Sequence, residues 1–380
     1  MAKQKPDPIP KADDHVLRPP AESAFAHELA ALEQEDKAFR PPNWRLSPMA
    51  VRTYIMGGKL ASGTLISAKY IGHPRIIEAA IATLLTDRAL LLVGVPGTAK
   101  TWVSEHLAAA ISGTSSRLIQ GTAGLSEDAL RYSWNYARLL KEGPIWEALV
   151  PSPVFQAMED GAIVRVEELT RIPSDVQDSL ITVLSEKILP VPELRMQVSA
   201  RPGFNLIATA NDRDRGINEL SSALRRRFNT VVMPLPATLQ EEVRIVEDRV
   251  RSGFLAQMQS EIPLPQREIV RLVTIFRELR GGRTEDTKEK LKSPSATLST
   301  AEAISTINQG LALALHFGSG VLSAKDLAYG LETAVVKDPG LDSEIWREYR
   351  ETIIKNRPDW KDLYEASISI SPAKSRAKGR

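Results

Sequence analysis

From Tyr70 to Met233 the chain alternates two kinds of apolar pattern. Short apolar runs, the mark of strands buried on both faces, occur at Ala89–Val93, Ser116–Gln120, Ala162–Val166, Phe204–Thr209 and Thr230–Met233. Between them, apolar residues recur three and four apart. Ile76, Ile77, Ala80, Ile81, Leu84 and Leu85 predict a helix opened by Pro74. Val103, Leu107, Ala108 and Ile111 predict another, with Gly113 just past its end. A helix is expected over Leu125–Leu140, capped by Ser126, and a further one over Pro173–Lys187. Ile188–Val198 reads as a short hairpin. Strands alternating with helices predict an α/β fold with a parallel sheet covered on both faces. After Pro236 the pattern is wholly helical, at 239–257, 265–280, 299–316, 323–335 and 343–356.

The ends are different in kind. Residues 1–22 are rich in Pro, Lys and Asp without apolar periodicity, which predicts a flexible arm. Glu22–Arg40 carries Phe25, Leu29, Leu32 and Phe39 at helical spacing, stopped by Pro41-Pro42. This leader is expected to be a solvated tail with one docked helix. Ser367–Arg380 is rich in Ser, Lys and Arg and is expected to be disordered. The predicted division is an arm over 1–45, an α/β core over 46–236, a smaller all-α domain over 237–366 and a basic tail over 367–380.

Composition narrows the class. Of 380 residues, 43% are hydrophobic and 25% charged, as in ordinary globular domains. No apolar run approaches the ~20 residues of a membrane span. The first fifteen residues have no apolar core, so no secretory signal is read there and a cytoplasmic location is expected. The absence of Cys removes disulfides and thiolate chemistry. A net charge of +2 gives no global field for nucleic acid, and no basic, aromatic groove is apparent.

The chemistry starts at the first strand. It runs into Gly94-Val95-Pro96-Gly97-Thr98-Ala99-Lys100-Thr101 and then a helix. Strand, glycine turn, Lys-Thr, helix is the layout of a phosphate-binding loop, in which backbone N–H groups and the helix N-terminus face phosphate oxygens. Lys100 is positioned for the β/γ-phosphates and the Thr101 hydroxyl for Mg²⁺. The motif wants Gly where Ala99 stands, so a negative φ is expected there. Glu167 and Glu168 end the third strand, and alternation sends one carboxylate toward a metal and its neighbour toward a water. Asn211 ends the next strand, where an amide can hold water and γ-phosphate. Arg225-Arg226-Arg227 precedes the last strand, where an arginine could be presented to a neighbouring subunit.

Four blocks, GVPGTAKT (94–101), AIVRVEELTRIPSDVQ (162–177), FNLIATAND (204–212) and LSSALRRRFN (220–229), resemble AAA+ ATPases, and within them the MoxR-type branch, close to chelatase-type ATPase subunits. The resemblance covers roughly 65–335 and implies a P-loop core with a five-stranded parallel sheet and a helical lid. It implies ATP and Mg²⁺ as cofactors, with Lys100 and Thr101 as the Walker A pair and Glu167 at the Walker B metal position. Glu168 takes the catalytic-base position, Asn211 sensor 1, and Arg227 the arginine finger with Arg226 as alternative. Ile71-Gly72-His73 resembles the family's motif near the adenine. Residues 129–153 resemble the helix-2 insert and 188–202 the pre-sensor hairpin. Two departures stand out: the family usually has Asp where this chain has Glu167, and Ser293-Pro294 is followed by Ser295 rather than the sensor-2 arginine.

The function implied is a ring, a hexamer, that remodels or activates a partner protein, with a von Willebrand factor A domain protein as candidate partner. Residues 121–128 lack the aromatic grip of threading ATPases, so a push on a partner fits better than threading. A chelatase-like ATPase subunit, a nucleic-acid motor or loader, and a slow nucleotide switch are the alternatives.

Overall fold

The apolar runs form one parallel sheet because both faces of each strand find a helical layer. The computed structural model describes residues 17–211, 218–256, 258 and 263–370. In chain order the main elements of the first unit are α1 (Ala26–Glu35), α2 (Pro48–Met56), α3 (Pro74–Leu84), β1 (Ala89–Gly94), α4 (Lys100–Ser112) and β2 (Leu118–Gln120). There follow α5 (Pro153–Asp160), β3 (Ile163–Glu167), β4 (Asn205–Asn211) and β5 (Phe228–Val232). The sheet order is β5-β1-β4-β3-β2, with every pairing parallel. Period-2 alternation divides the strands between two cores. Ala89, Leu91, Val164, Val166, Leu206 and Ala208 join the layer of α5 and the 188–199 hairpin. Leu90, Leu92, Ile163 and Ile207 join that of α2, α3 and α4.

Contacts divide the chain into two units. Ala99–Met233 and the described residues up to Val95 form one; Pro96–Thr98 and those from Pro234 form the other. The second is all-helical: α6 (Leu239–Val250), α7 (Gln266–Gly281), α8 (Thr300–Phe317), α9 (Ala324–Val335), α10 (Pro339–Tyr349) and α11 (Lys361–Ile370). Its core gathers Val246, Leu272, Phe276, Ile307, Leu331 and Trp346.

Several expectations need correction. The expected 22–40 helix is two, Ala21–Ala24 and α1, and Phe39 is exposed beyond them. The expected docked helix is present as α1, but the rest of the leader from Ala21 is packed rather than solvated. Leu29, Leu32, Trp44 and Leu46 are buried in the α2–α4 layer, while residues 1–16 of the arm lie outside the described residues. Phe25 packs on His106 and Trp102 of α4, and Tyr54 of α2 meets His106 Nδ1 through its hydroxyl at 2.8 Å. Lys69, paired with Glu28, lies over the Phe25 and Tyr54 rings at 4.3 and 4.4 Å. The phosphate-loop helix is thus braced from its outer side.

The expected 125–140 helix is interrupted. Helix Glu127–Leu130 gives way to strand Tyr132–Trp134, which pairs antiparallel with Leu149–Pro151 around helix Tyr136–Glu142. Pro173–Lys187 divides at Ser179 into Ser174–Asp178 and Leu180–Ser185. The hairpin after it pairs Ile188–Val191 with Met196–Ser199. Of the expected basic tail, 367–370 belong to α11, with Ser367 buried; 371–380 lie outside the described residues.

Candidate nucleotide-binding site

β1 delivers the phosphate loop at the C-terminal edge of the sheet, where ligands of open α/β folds bind. Gly97 has φ +82° and Ala99 φ +62°. The negative φ expected at Ala99 is therefore wrong: Ala99 is left-handed and stands as N-cap of α4. A Cβ in that region costs roughly 1–2 kcal/mol, and such strain persists only where the surrounding fold dictates it. Lys100 is buried and donates through Nζ to the loop's own Gly94 and Val95 carbonyls at 2.8 and 2.9 Å. That ammonium sits inside the loop, where phosphate oxygens are the natural acceptors. Thr98 is buried as well. Asn211 is in register with Gly94 across β4 and β1, so the strand-end amide and the loop begin side by side.

Glu167 is the centre of the polar set. It is 2% exposed and its carboxylate accepts from four groups. Thr101 Oγ1 donates to Oε2 at 2.8 Å and Thr209 Oγ1 at 2.7 Å. Ser104 Oγ donates to Oε1 at 2.5 Å and Arg165 Nη2 at 2.8 Å. The adjacent glutamates have different partners, but strand alternation is not the reason, because the strand ends at Glu167 and Glu168 leaves it in a left-handed conformation. Glu168 is half-buried, left-handed at φ +54°, and accepts from Arg171 Nη1 at 2.7 Å. Its N–H donates to Thr209 Oγ1 at 3.0 Å, so one hydroxyl ties the Glu167 carboxylate to the Glu168 backbone. Gly121, following β2, donates to the Glu167 carbonyl at 2.7 Å. A Cβ there would lie 2.2 Å from the Glu168 carbonyl oxygen.

The donor set suits Mg²⁺, a hard cation that takes oxygen ligands and keeps several waters: a hydroxyl and a carboxylate stand together at the root of the phosphate loop. Thr101, Glu167, Lys100 and Asn211 are brought to one sheet edge. Ile71 and Gly72 lie just before α3, outside the hydrogen-bonded set; a Cβ on Gly72 would meet the Tyr70 hydroxyl at 2.6 Å. Arg226 and Arg227 lie at the opposite edge. Phe228 pairs with Ala89, five residues before Gly94, which at about 3.3 Å per residue is ~17 Å along the strand. Arg227 is held in its own subunit, donating to Ser185 Oγ at 2.7 Å and the Ala223 carbonyl at 2.6 Å. Arg226 is exposed.

Sequence reasoning missed Arg165, Ser104, Thr209 and Gly121. The signal was present for three of them. Arg165 and Thr209 are polar residues at alternate positions of apolar strands, on the α4-facing side with Ile163 and Ile207. Ser104 follows Thr101 by three and so shares its helix face.

Sheet order, phosphate loop and strand-end carboxylate define a P-loop ATPase of the AAA+ class. Residues 89–228 match the AAA domain of the dynein-related subfamily, and 240–370 match the C-terminal domain of YehL-like AAA+ ATPases. The chain belongs to the YehL-like AAA+ ATPases: it is 41% identical to YehL of Escherichia coli (strain K12) over 360 residues, 93% of this chain and 98% of that one. It is 29% identical to NorQ of Paracoccus denitrificans (strain Pd 1222) over 195 residues, 49% of this chain and 68% of NorQ. Among solved structures, NtrX from Brucella abortus in complex with ADP aligns with a TM-score of 0.46 at 14% identity, covering 78% of this chain and 64% of NtrX. No described helix is long and apolar enough to cross a membrane.

Proposed function

We propose that this ATPase binds ATP·Mg²⁺ at the edge of β1 and β4, hydrolyses it at subunit interfaces of a ring, and spends the closure on remodelling a partner protein. The observation that carries the reading is the 2.8 Å bond from Thr101 Oγ1 to Glu167 Oε2. It joins the phosphate-loop hydroxyl to the one buried strand-end carboxylate in the set, the two oxygen donors an Mg²⁺-nucleotide site needs. Lys100 meets the phosphate oxygens, Asn211 holds the γ-phosphate side, and Glu168 orients the attacking water once Arg171 releases it. Mg²⁺ supplies charge neutralisation at the phosphates when bound.

The edge-to-edge separation of Arg226 and Arg227 from their own phosphate loop favours service to a neighbour's site. Of the two, Arg226 is the better candidate for the finger, because Arg227 is tied to Ser185 and Ala223. The resemblance to the MoxR branch supports a hexamer acting on a protein partner, with a von Willebrand factor A domain protein the first to test.

The test is nucleotide binding and turnover. Lys100→Ala is expected to lose binding of a fluorescent ATP analogue, and Glu168→Gln to bind it but release no phosphate. Wild-type affinity in Lys100→Ala would remove the phosphate-loop assignment; normal turnover in Glu168→Gln would move the base elsewhere.

A further inference from the structure

An arginine in the middle of a central strand is a costly residue. Arg165 is 4% exposed, and withdrawing a guanidinium or a carboxylate from water costs several kcal/mol per ion unless the geometry satisfies both. Here it does. Nε donates to Ser104 Oγ at 3.1 Å, Nη1 to the Ser115 carbonyl at 3.1 Å, and Nη2 to the Thr101 carbonyl at 3.3 Å and to Glu167 Oε1 at 2.8 Å. Arg165 and Glu167 are two apart in β3, so they share the face that looks at α4.

The bonds are divided two and two between the carboxylate oxygens, but the charged donor goes to one of them alone. Guanidinium and Ser104 take Oε1; the hydroxyls of Thr101 and Thr209 take Oε2. The oxygen beside the phosphate-loop hydroxyl is the one that the guanidinium does not touch; it accepts from hydroxyls alone.

We infer that Arg165 is a positioning residue: it grips Glu167 by Oε1 and so stations Oε2 beside Thr101 Oγ1, where the Mg²⁺ of the nucleotide is held. Arg165 and Glu167 form one unit, and this accounts for Glu where the resembling family usually has Asp. The longer side chain spans from the guanidinium on one side to the metal position on the other. A shorter one surrenders one of the two. The inference rests on the Mg²⁺-nucleotide reading above.

It makes a counter-intuitive prediction. Glu167→Asp, the change toward the more familiar residue, weakens the metal site instead of improving it. The experiment titrates full-length protein with the fluorescent nucleotide MANT-ADP, in EDTA and over a range of Mg²⁺. Partners in the second coordination sphere typically alter metal affinity by about 10- to 100-fold, and that loss of Mg²⁺ affinity is expected for both Glu167→Asp and Arg165→Lys. Affinity in EDTA stays at the wild-type level. In Arg165→Lys/Glu167→Asp the second substitution adds little to the first, because coupled neighbours are non-additive. Undiminished Mg²⁺ affinity in Glu167→Asp overturns the inference. So does an Arg165→Lys protein that loses thermal stability alone, which makes Arg165 a structural tie between α4 and β3. If the Arg165 variants do not fold, the Glu167→Asp titration decides. Wild-type protein that binds MANT-ADP without regard to Mg²⁺ overturns the positioning role and leaves the phosphate loop standing. Failure to bind MANT-ADP at all removes the site reading as well.

Discussion

At Gly121 the absent side chain sets the position of Glu168. A methyl group there would be 2.2 Å from the Glu168 carbonyl oxygen and 2.8 Å from that of Glu167, both of them backbone atoms that cannot swing aside. Gly121→Ala is therefore expected to displace the left-handed Glu168. Overpacking of this kind costs about 1–3 kcal/mol of stability, and a misplacement near 1 Å can lower turnover by up to about 100-fold. Steady-state phosphate release beside MANT-ADP affinity checks it: unchanged turnover would mean that Glu168 tolerates movement. Residues of this kind set the limit of sequence reading. Lys100, Thr101 and Glu167 were legible because their spacing from glycines and strand ends is fixed by chemistry. Gly121 was not, since its role depends on β2 lying beside β3, a long-range fact. Arg165 stands inside an apolar run, and its partners Ser104 Oγ and the Thr101 carbonyl come only with α4 packed on β3. Ala99 misled because local sterics argued for a negative φ, and the loop between β1 and α4 overrode them.

Among elements, the helices of the second unit were legible where the 3.6-residue period ran long, as in α7 and α8. The 125–140 segment was not, because the pairing of Tyr132–Trp134 with Leu149–Pro151 is decided by contacts fifteen or more residues away. Ser295 is the clearest case of an element reassigning a residue. Alignment by Ser-Pro puts it at the start of a lid helix. However, α8 begins only at Thr300, capped by a box of Ser299 and Glu302. Ser295 instead donates its N–H and hydroxyl to Asp342 of α10, each at 2.7 Å, and the N–H groups of Lys337 and Asp338 complete the set. Burial alone would raise the Asp342 carboxyl, but these hydrogen bonds outweigh it and hold it below its ordinary value. Ser295→Ala is expected to cost about 1–3 kcal/mol, the range for leaving a buried acceptor short of a donor, with MANT-ADP affinity unchanged. A depressed carboxyl stabilises the fold above its unfolded pKa of about 3.9 and loses that contribution as pH falls through the lowered native value. The stability gap between wild type and Ser295→Ala, read by thermal unfolding, should hold at neutral pH and narrow below about pH 4. A loss of nucleotide affinity with stability intact would return Ser295 to the lid.

For the whole molecule, the parallel sheet sets two candidate groups at its opposite ends. All its strands point the same way, so the phosphate loop, Glu167 and Asn211 gather at one edge while Arg226 and Arg227 stand at the start of β5 on the other. No side chain spans the ~17 Å that five strand residues separate, so any contribution of Arg226 or Arg227 to hydrolysis would have to be made to the site of a second copy of the chain. An arginine finger supplied in trans is worth about 10³–10⁵ in turnover, which makes the effect large enough to read in a mixture. Arg226→Ala is expected to keep MANT-ADP affinity and lose most hydrolysis, with Arg227→Ala losing less hydrolysis and more stability because its bonds are to Ser185 and Ala223. Lys100→Ala subunits have no working phosphate loop but carry both arginines. Mixed with Arg226→Ala subunits they should restore activity that neither has alone, and wild-type specific activity should rise with protein concentration until the ring is filled. A mixture no more active than its parts, or a wild type equally active at every dilution, would confine catalysis to the single chain. The finger would then have to be sought outside the Arg225–Arg227 run.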